Sequence, residues 1–406
     1  MKTLKTLMLA GLLSSLAVAQ APAQFSSGSD GSYGPLIITN DATLTVESND
    51  IYNCTTIYVA PSVTLHFVKT ANASFAPVYL LATSNVVVEG TIDVSGQNGT
   101  SYSGQGGPGG FDGGEAGIDS TDVPPGDGLG PGGGERIQEI HDGANAGGGS
   151  YAQAGGPRSG TNVSASTYGN RLVMPLIGGS GGGGSRSWNA SQGKGGGGGG
   201  GAILIASTTR VEISGQVQAT GGAGAIAGCG AFCGWNASGS GSGGAIRIVA
   251  LEVIGNGTLN VAGGITPWPA NQVYGGNGWI RIDTLNRSLV GFTFNGVYSI
   301  GSFMQVFPSP LATLSIVQAA GTNIVEGQTV PVTITLPPGS STNQTVTVRA
   351  RDFVGTVPIS VVLTPESGPS SKYDDIINMG STNVAEKIVS VVMPVNTLTR
   401  IHAWTR

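Results

Sequence analysis

Charge is scarce in this sequence. Asp, Glu, Lys and Arg make up only 10% of 406 residues, with 18 basic side chains against 23 acidic ones. That balance leaves no basic footprint for nucleic acid. A hydrophobic share of 39% also excludes a chain kept unfolded by self-repulsion. Three cysteines are too few for a disulfide framework, and three scattered histidines, His66, His141 and His402, sit in no nucleophile or metal motif. No stretch after the N-terminus approaches the roughly twenty uninterrupted apolar residues of a membrane-spanning helix, so no transmembrane segment is expected in the mature chain.

The N-terminus carries Lys2 and Lys5, then a short apolar stretch, then the small-x-small sites Ala17-Val18-Ala19 and Ala21-Pro22-Ala23. This pattern predicts a secretory signal peptide over 1–23 and a secreted, extracellular or bacterial cell-surface location. In an oxidising compartment Cys229 and Cys233, in CGAFC, could close a local disulfide, leaving Cys54 unpaired.

Against these absences stands glycine, 70 residues in all, without a collagen period. Residues 193–207 read GKGGGGGGGAILIAS, seven consecutive glycines running into a branched-aliphatic strand. The arrangement recurs as GSGGAIRIVA at 241–250 and GGNGWIRIDT at 275–284, with isoleucine at alternate places: Ile203/Ile205, Ile246/Ile248 and Ile280/Ile282. Upstream, Trp188, Trp235 and Trp268 open the three repeats. A spacer selected for looseness has no reason to keep phase with the strand after it. The glycines are therefore read as packed building material: they supply positive-φ corners, and without Cβ atoms their backbones approach closely, as in left-handed extended helices with three residues per turn. Ordering seven glycines is entropically costly, so packing or inter-chain-segment hydrogen bonds must hold them.

Short period-2 strands separated by glycine turns predict an all-β chain: an irregular right-handed parallel β-helix with glycine-rich insertions over 24–307, then an antiparallel β-sandwich over 308–406 of immunoglobulin-like size. Uneven repeat spacing, 47 residues between the first two tryptophans and 33 between the next, means loops of different length leave a common core. Residues 100–187, rich in Gly and Pro, read as a long excursion, either disordered or packed on the flank. In the second unit TLSIVQ, TVPVTITLP, QTVTVRARD, TVPISVVLTP, EKIVSVVMP and TLTRIHAWT read as strands.

The stretches PVYLLATSNVVVEGTIDVSG, GGGGGGGAILIAS and GSGGAIRIVA, with the trailing sandwich, resemble a group of exported glycine-rich β-helix proteins of environmental bacteria. The resemblance implies β-helix architecture and surface or extracellular residence, with no established activity. The glycine runs are also similar in composition to the polyglycine-helix adhesin tips of phage tail fibres and to the glycine-rich extracellular region of anaplastic lymphoma kinase.

Eight carboxylates, Asp112, Glu115, Asp119, Asp122, Asp127, Glu135, Glu139 and Asp142, fall in the excursion beside Arg136. Of these, Asp112, Glu115, Asp119 and Asp122 are candidate Ca²⁺ ligands, although GGPGGFD misplaces the aspartate of the calcium nonapeptide; the alternative is a loop solvated by its charge. Trp188, Trp235 and Trp268 are candidate stacking platforms for sugar rings, or inward covers for bare glycine backbone. For catalysis, Asp374-Asp375, Asp93 and Asp283 lack an evident carboxylate partner across a cleft, and Arg247 and Arg281 read as a surface ladder. The sequence therefore favours a structural or adhesive protein that binds extracellular glycan or polymer. The rivals are a polysaccharide-active lyase or hydrolase and a self-assembling filament or surface-layer subunit.

Overall fold

The computed structural model describes residues 25–46, 51–70, 76–118, 123–137, 144–161, 163–186, 193–227, 236–266, 273–286, 291–307, 312–326, 332–337, 339–366 and 370–405. Among these every regular element is a strand. The first unit runs through β1 (Gly34–Ile38), β2 (Ala42–Val46), β3 (Ile51–Val59), β4 (Thr64–Lys69), β5 (Val78–Ala82), β6 (Val86–Val88) and β7 (Thr91–Asp93). It continues with β8 (Ala202–Ile213), β9 (Gln216–Gln218), β10 (Ile226–Ala227), β11 (Asn236–Ala237) and β12 (Ala245–Gly255). The last members are β13 (Thr258–Asn260), β14 (Trp279–Asn286), β15 (Thr293–Asn295) and β16 (Val297–Gly301).

Apart from β10 and β11, which pair antiparallel with each other, these strands form two parallel sheets. One has the order β1-β3-β5-β8-β12-β14-β16 with β6 alongside, and the other β2-β4-β7-β9-β13-β15. The chain visits the first sheet, then the second, and returns one rung further on. The alternation of Ile and Val places one ladder of each sheet inward. Val78, Ile203, Ile246 and Ile280 stand in register, as do Leu80, Ile205, Ile248 and Ile282. Leu65, Ile92, Val217 and Leu259 face them from the second sheet, and all are fully buried in one core. Each such side chain contributes about 1.5–3 kcal/mol of burial, so the ladders are a main source of cohesion.

The glycine segments leave after β7, β9 and β13 and return at β8, β12 and β14. They make a second interior beside the sheets, built mainly of backbone with buried serine hydroxyls such as Ser180, Ser238, Ser240 and Ser242 bonded into it. In the 193–201 run, Gly195, Gly198 and Gly201 donate to the carbonyls of Thr100, Gln97 and Val94. Gly196 and Gly199 donate to Gly114 and Phe111, and Gly197 and Gly200 to Gly239 and Ser242. In return Lys194, Gly197 and Gly200 accept from Ser185, Gly182 and Gly179; Gly196 and Gly199 accept from Gly104 and Gly107; and Gly198 accepts from Gly222. These bonds measure 2.8–3.0 Å. Every third residue faces the same neighbour, which is the signature of three residues per turn. None of the glycines from 193 to 201 has a positive φ, so the helix is left-handed and extended. Six neighbouring segments surround this run, and its bonds go to them and not within itself. A Cβ on Gly196, Gly199 or Gly200 would stand closer than 3.0 Å to the carbonyl oxygen of Gly182, Gly179 or Ala219. Glycine is required here by contact and not by turn geometry.

Much of the described part of 100–186 belongs to this lattice, including 104–117, 126–137, 144–156 and 178–185. Gly114, Phe111 and Gly117 donate to Gly182, Gly179 and Ser185, again at intervals of three. Of the two sequence expectations for the excursion, the packed one holds. Its carboxylates are also not simply solvated: Asp112 pairs with Lys69 at 2.7 Å and Glu135 with Arg158 at 3.6 Å.

The second unit comprises β17 (Thr313–Ala319), β18 (Thr322–Asn323), β19 (Asn343–Arg351), β20 (Thr356–Pro365), β21 (Ser371–Asn378), β22 (Val384–Val392) and β23 (Thr399–Thr405). Two antiparallel sheets, β18-β17-β19-β22 and β21-β20-β23, enclose a core that includes Val346, Val348, Val361, Leu363 and Val389. One strand expectation needs correction, and one strand was not expected. Residues 332–337, from the segment TVPVTITLP, are not a strand, whereas the polar SKYDDIIN is β21. β21 is an edge strand with only one face buried, so its apolar content is low. Trp404 of β23 packs edge-on against Phe111 of the lattice, with ring centroids 5.2 Å apart, beside Val362, Leu129 and Ile177.

Candidate binding surface

Extended three-residue-per-turn helices rise about 3.1 Å per residue, so the nine residues from 193 to 201 carry the chain roughly 25 Å away from the sheets. The lattice therefore has two ends: one at the strands, and one where its segments turn back. At the turning end the described flanks of five loops are bonded to one another. Gly117 donates to Ser185, and Ile137 bridges Ser185. Asn145 bridges Ala237, the Asn236 amide donates to the Arg186 carbonyl at 3.1 Å, and Thr266 Oγ1 donates to the Ser238 carbonyl. The described residues that flank 119–122, 138–143, 187–192, 228–235 and 267–272 thus share one platform. Small closures fix the roots: Ile118 bridges Val123, β10 pairs β11, and Ile265 bridges Tyr274.

The sequence-predicted residues distribute around this platform. Trp188, Trp235, Trp268, Asp119, Asp122, Cys229 and Cys233 lie outside the described residues. Their chain neighbours Arg186, Asn236, Thr266, Ile118, Val123 and Ala227 are all among its roots. Asp112 is elsewhere: its carboxylate takes the Lys69 ammonium and the Gly106 amide, and it is committed to the lattice. Glu115 stands near the platform, and burial pushes its carboxyl up to about 7 from 4.5. Among the described residues no cluster of three or more His, Cys, Asp or Glu side chains is placed to hold a metal ion. Cys54 is buried in the sheet core and its thiol is pushed up to about 11 by that burial.

The residues weighed for catalysis are engaged in structure. Asp93 stands 3.4 Å from His66 across the second sheet. Asp374 accepts from Ser360 Oγ at 2.6 Å, and Asp375 pairs with Lys387 at 2.9 Å. Arg247 and Arg281 do occupy equivalent rungs, but they are not a surface ladder. They are 1% and 7% exposed, and both guanidinium groups converge on Asp283, which is fully buried. Arg247 also donates to the carbonyls of Gln305 and Val306, and the Phe303 amide donates to Asp283. The cluster clamps residues 303–306 to the outer face of the first sheet. Sequence reasoning missed it because the partners lie two residues apart on one strand and across 20 residues of chain; alternation in GWIRIDT was the available signal.

Comparison with protein-family models, curated proteins and solved structures returned no match, so the functional argument rests on this geometry.

Proposed function

We propose that this chain is an exported structural or adhesive protein that binds an extracellular glycan or polymer through the turning end of its glycine lattice. In this reading the two parallel sheets are the walls of a right-handed β-helix, and the antiparallel unit is an immunoglobulin-like sandwich used for spacing or attachment. The observation that carries it is the shared platform: the described flanks of five segments of unlike sequence are bonded side by side on a densely hydrogen-bonded lattice, at the end remote from the sheets. A fold that invests this much ordered backbone in holding loops suits recognition by shape and stacking. The loops bear Trp188, Trp235 and Trp268, whose flat faces match the apolar faces of sugar rings.

The test is a glycan array with the purified chain beside Trp188→Ala and Trp235→Ala. Binding that falls at least tenfold in both variants, with circular dichroism unchanged, supports the reading. An array on which the chain binds nothing, or binding indifferent to both changes, overturns it.

A further inference from the structure

We propose that two copies of this chain associate end to end through β16, with a two-fold axis at Ser299, so that each closes the other's open core. The proposal concerns the sheets and does not depend on the ligand assigned to the lattice.

The two ends of the sheet stack differ. At the β1/β2 end the core is sealed: Leu36 is 6% exposed and Val46 fully buried. The edge strand there has Pro35, which has no N–H to offer, and its pairing with β3 is interrupted by a register shift between Gly34 and Leu36. Proline and irregular pairing are the usual means of keeping a strand edge from recruiting another. The β15/β16 end has neither. Tyr298 and Ile300 continue the inward ladders of Ile280 and Ile282, but they are 54% and 37% exposed where the preceding rungs are fully buried. Phe294 continues the ladder of the second sheet and stacks on Tyr298 with ring centroids 4.4 Å apart.

Among the described residues the chain's own continuation does not cover this end. After β16 it turns back along the outer face of the first sheet. Phe303 is held at β14, Gln305 and Val306 at β12, and Phe307 packs its ring on Tyr79 of β5. That path carries the second unit towards the opposite end of the stack. The open end thus needs an outside occupant, and its character selects a second copy. Residues 291–301 contain no charged side chain, so the strand edges themselves carry no like charges; beside the axis stand Arg281, paired with Asp283, and Arg171, whose carbonyl accepts from Ser299 Oγ. Head-to-tail stacking would need the sealed β1 edge, which leaves the isologous contact. An antiparallel β16 pair centred on Ser299 sets Tyr298 opposite Ile300 of the second copy, and the two cores become one. The lattices then project to opposite sides.

The experiment is analytical ultracentrifugation of the full chain across the micromolar range, with three variants. The wild-type chain is expected at twice the single-chain mass. Ile300→Lys is expected at the single-chain mass, and Ile37→Lys, at the sealed end, at the wild-type mass. Ser299→Cys lies outside the core, giving up only the Ser299 Oγ bonds to Arg281 and the Arg171 carbonyl, and is expected to give a disulfide-linked pair on mild oxidation, because directly opposed antiparallel residues lie within disulfide reach. A wild-type chain that stays at single mass throughout overturns the proposal. So do species that grow without limit and are stopped by Ile37→Lys, which would show head-to-tail stacking. Failure of Ser299→Cys to cross-link a two-copy species would also overturn it.

Discussion

The glycine lattice and the paired sheets are both dry, hydrogen-bonded interiors, yet they exclude water with different parts of the chain. In the sheets, backbone bonds run in one plane, and side chains such as Ile205 and Ile248 fill the space between planes. In the lattice, the bonds of 193–201 radiate to six neighbours and leave no space for side chains. The first arrangement tolerates a change of volume at local cost, because a cavity or a shifted rotamer absorbs it. The second has no rotamers to shift. Its only response to an added atom is to separate whole segments. The lattice is therefore brittle to substitution and insensitive to side-chain chemistry, while the sheets are the reverse.

That contrast can be broken most severely inside the lattice. Gly199→Val puts three carbons against the Gly179 carbonyl, and is expected to abolish recovery of folded, soluble chain, read by expression and circular dichroism. Next comes the clamp. Asp283→Ala leaves Arg247 and Arg281 buried without their carboxylate, and should cost about 3–5 kcal/mol in denaturant titration. Faster proteolysis at 302–307 should accompany it. In the side-chain-packed core, Ile205→Ala should cost about 2–5 kcal/mol and still fold. Gly339 sharpens the comparison, because its φ of +82° and open surroundings make it a turn glycine and not a lattice one. Gly339→Ala should therefore cost only about 1 kcal/mol. The smallest effect is expected from Glu115. Its neutral form is favoured by burial, so its contribution is complete below pH 4.5 and is lost as pH rises through about 7. Melting temperature should fall modestly across that window in the native chain, and Glu115→Gln should flatten the fall.

Sequence legibility divides along the same line. Where side chains do the packing, the pattern was readable: Ile203/Ile205, Ile246/Ile248 and Ile280/Ile282 stand inward and in register as alternation required. Phase between glycine runs and strands correctly marked the runs as built structure. The excursion was harder, because a segment that packs by its backbone leaves no apolar period. Its trace is only the recurrence of glycine at sites of contact, as in GQGGPGGFDGG, and Gly/Pro-rich composition reads equally as disorder. The polar edge strand β21 escaped for a related reason: pairing, not apolar content, makes it a strand. The site was legible only in part. Phase put the tryptophans at the start of each repeat, but the convergence of five loops arises from bonds such as Asn145 to Ala237, between residues 92 positions apart.

Site-resolved amide hydrogen exchange on residues 195–201 of the intact chain tests the central claim most directly. The lattice account predicts protection of these glycines comparable with the buried strands β8 and β12, since each amide donates to a neighbouring segment. Exchange at the rate of an unstructured peptide, with β8 and β12 still protected, would contradict it.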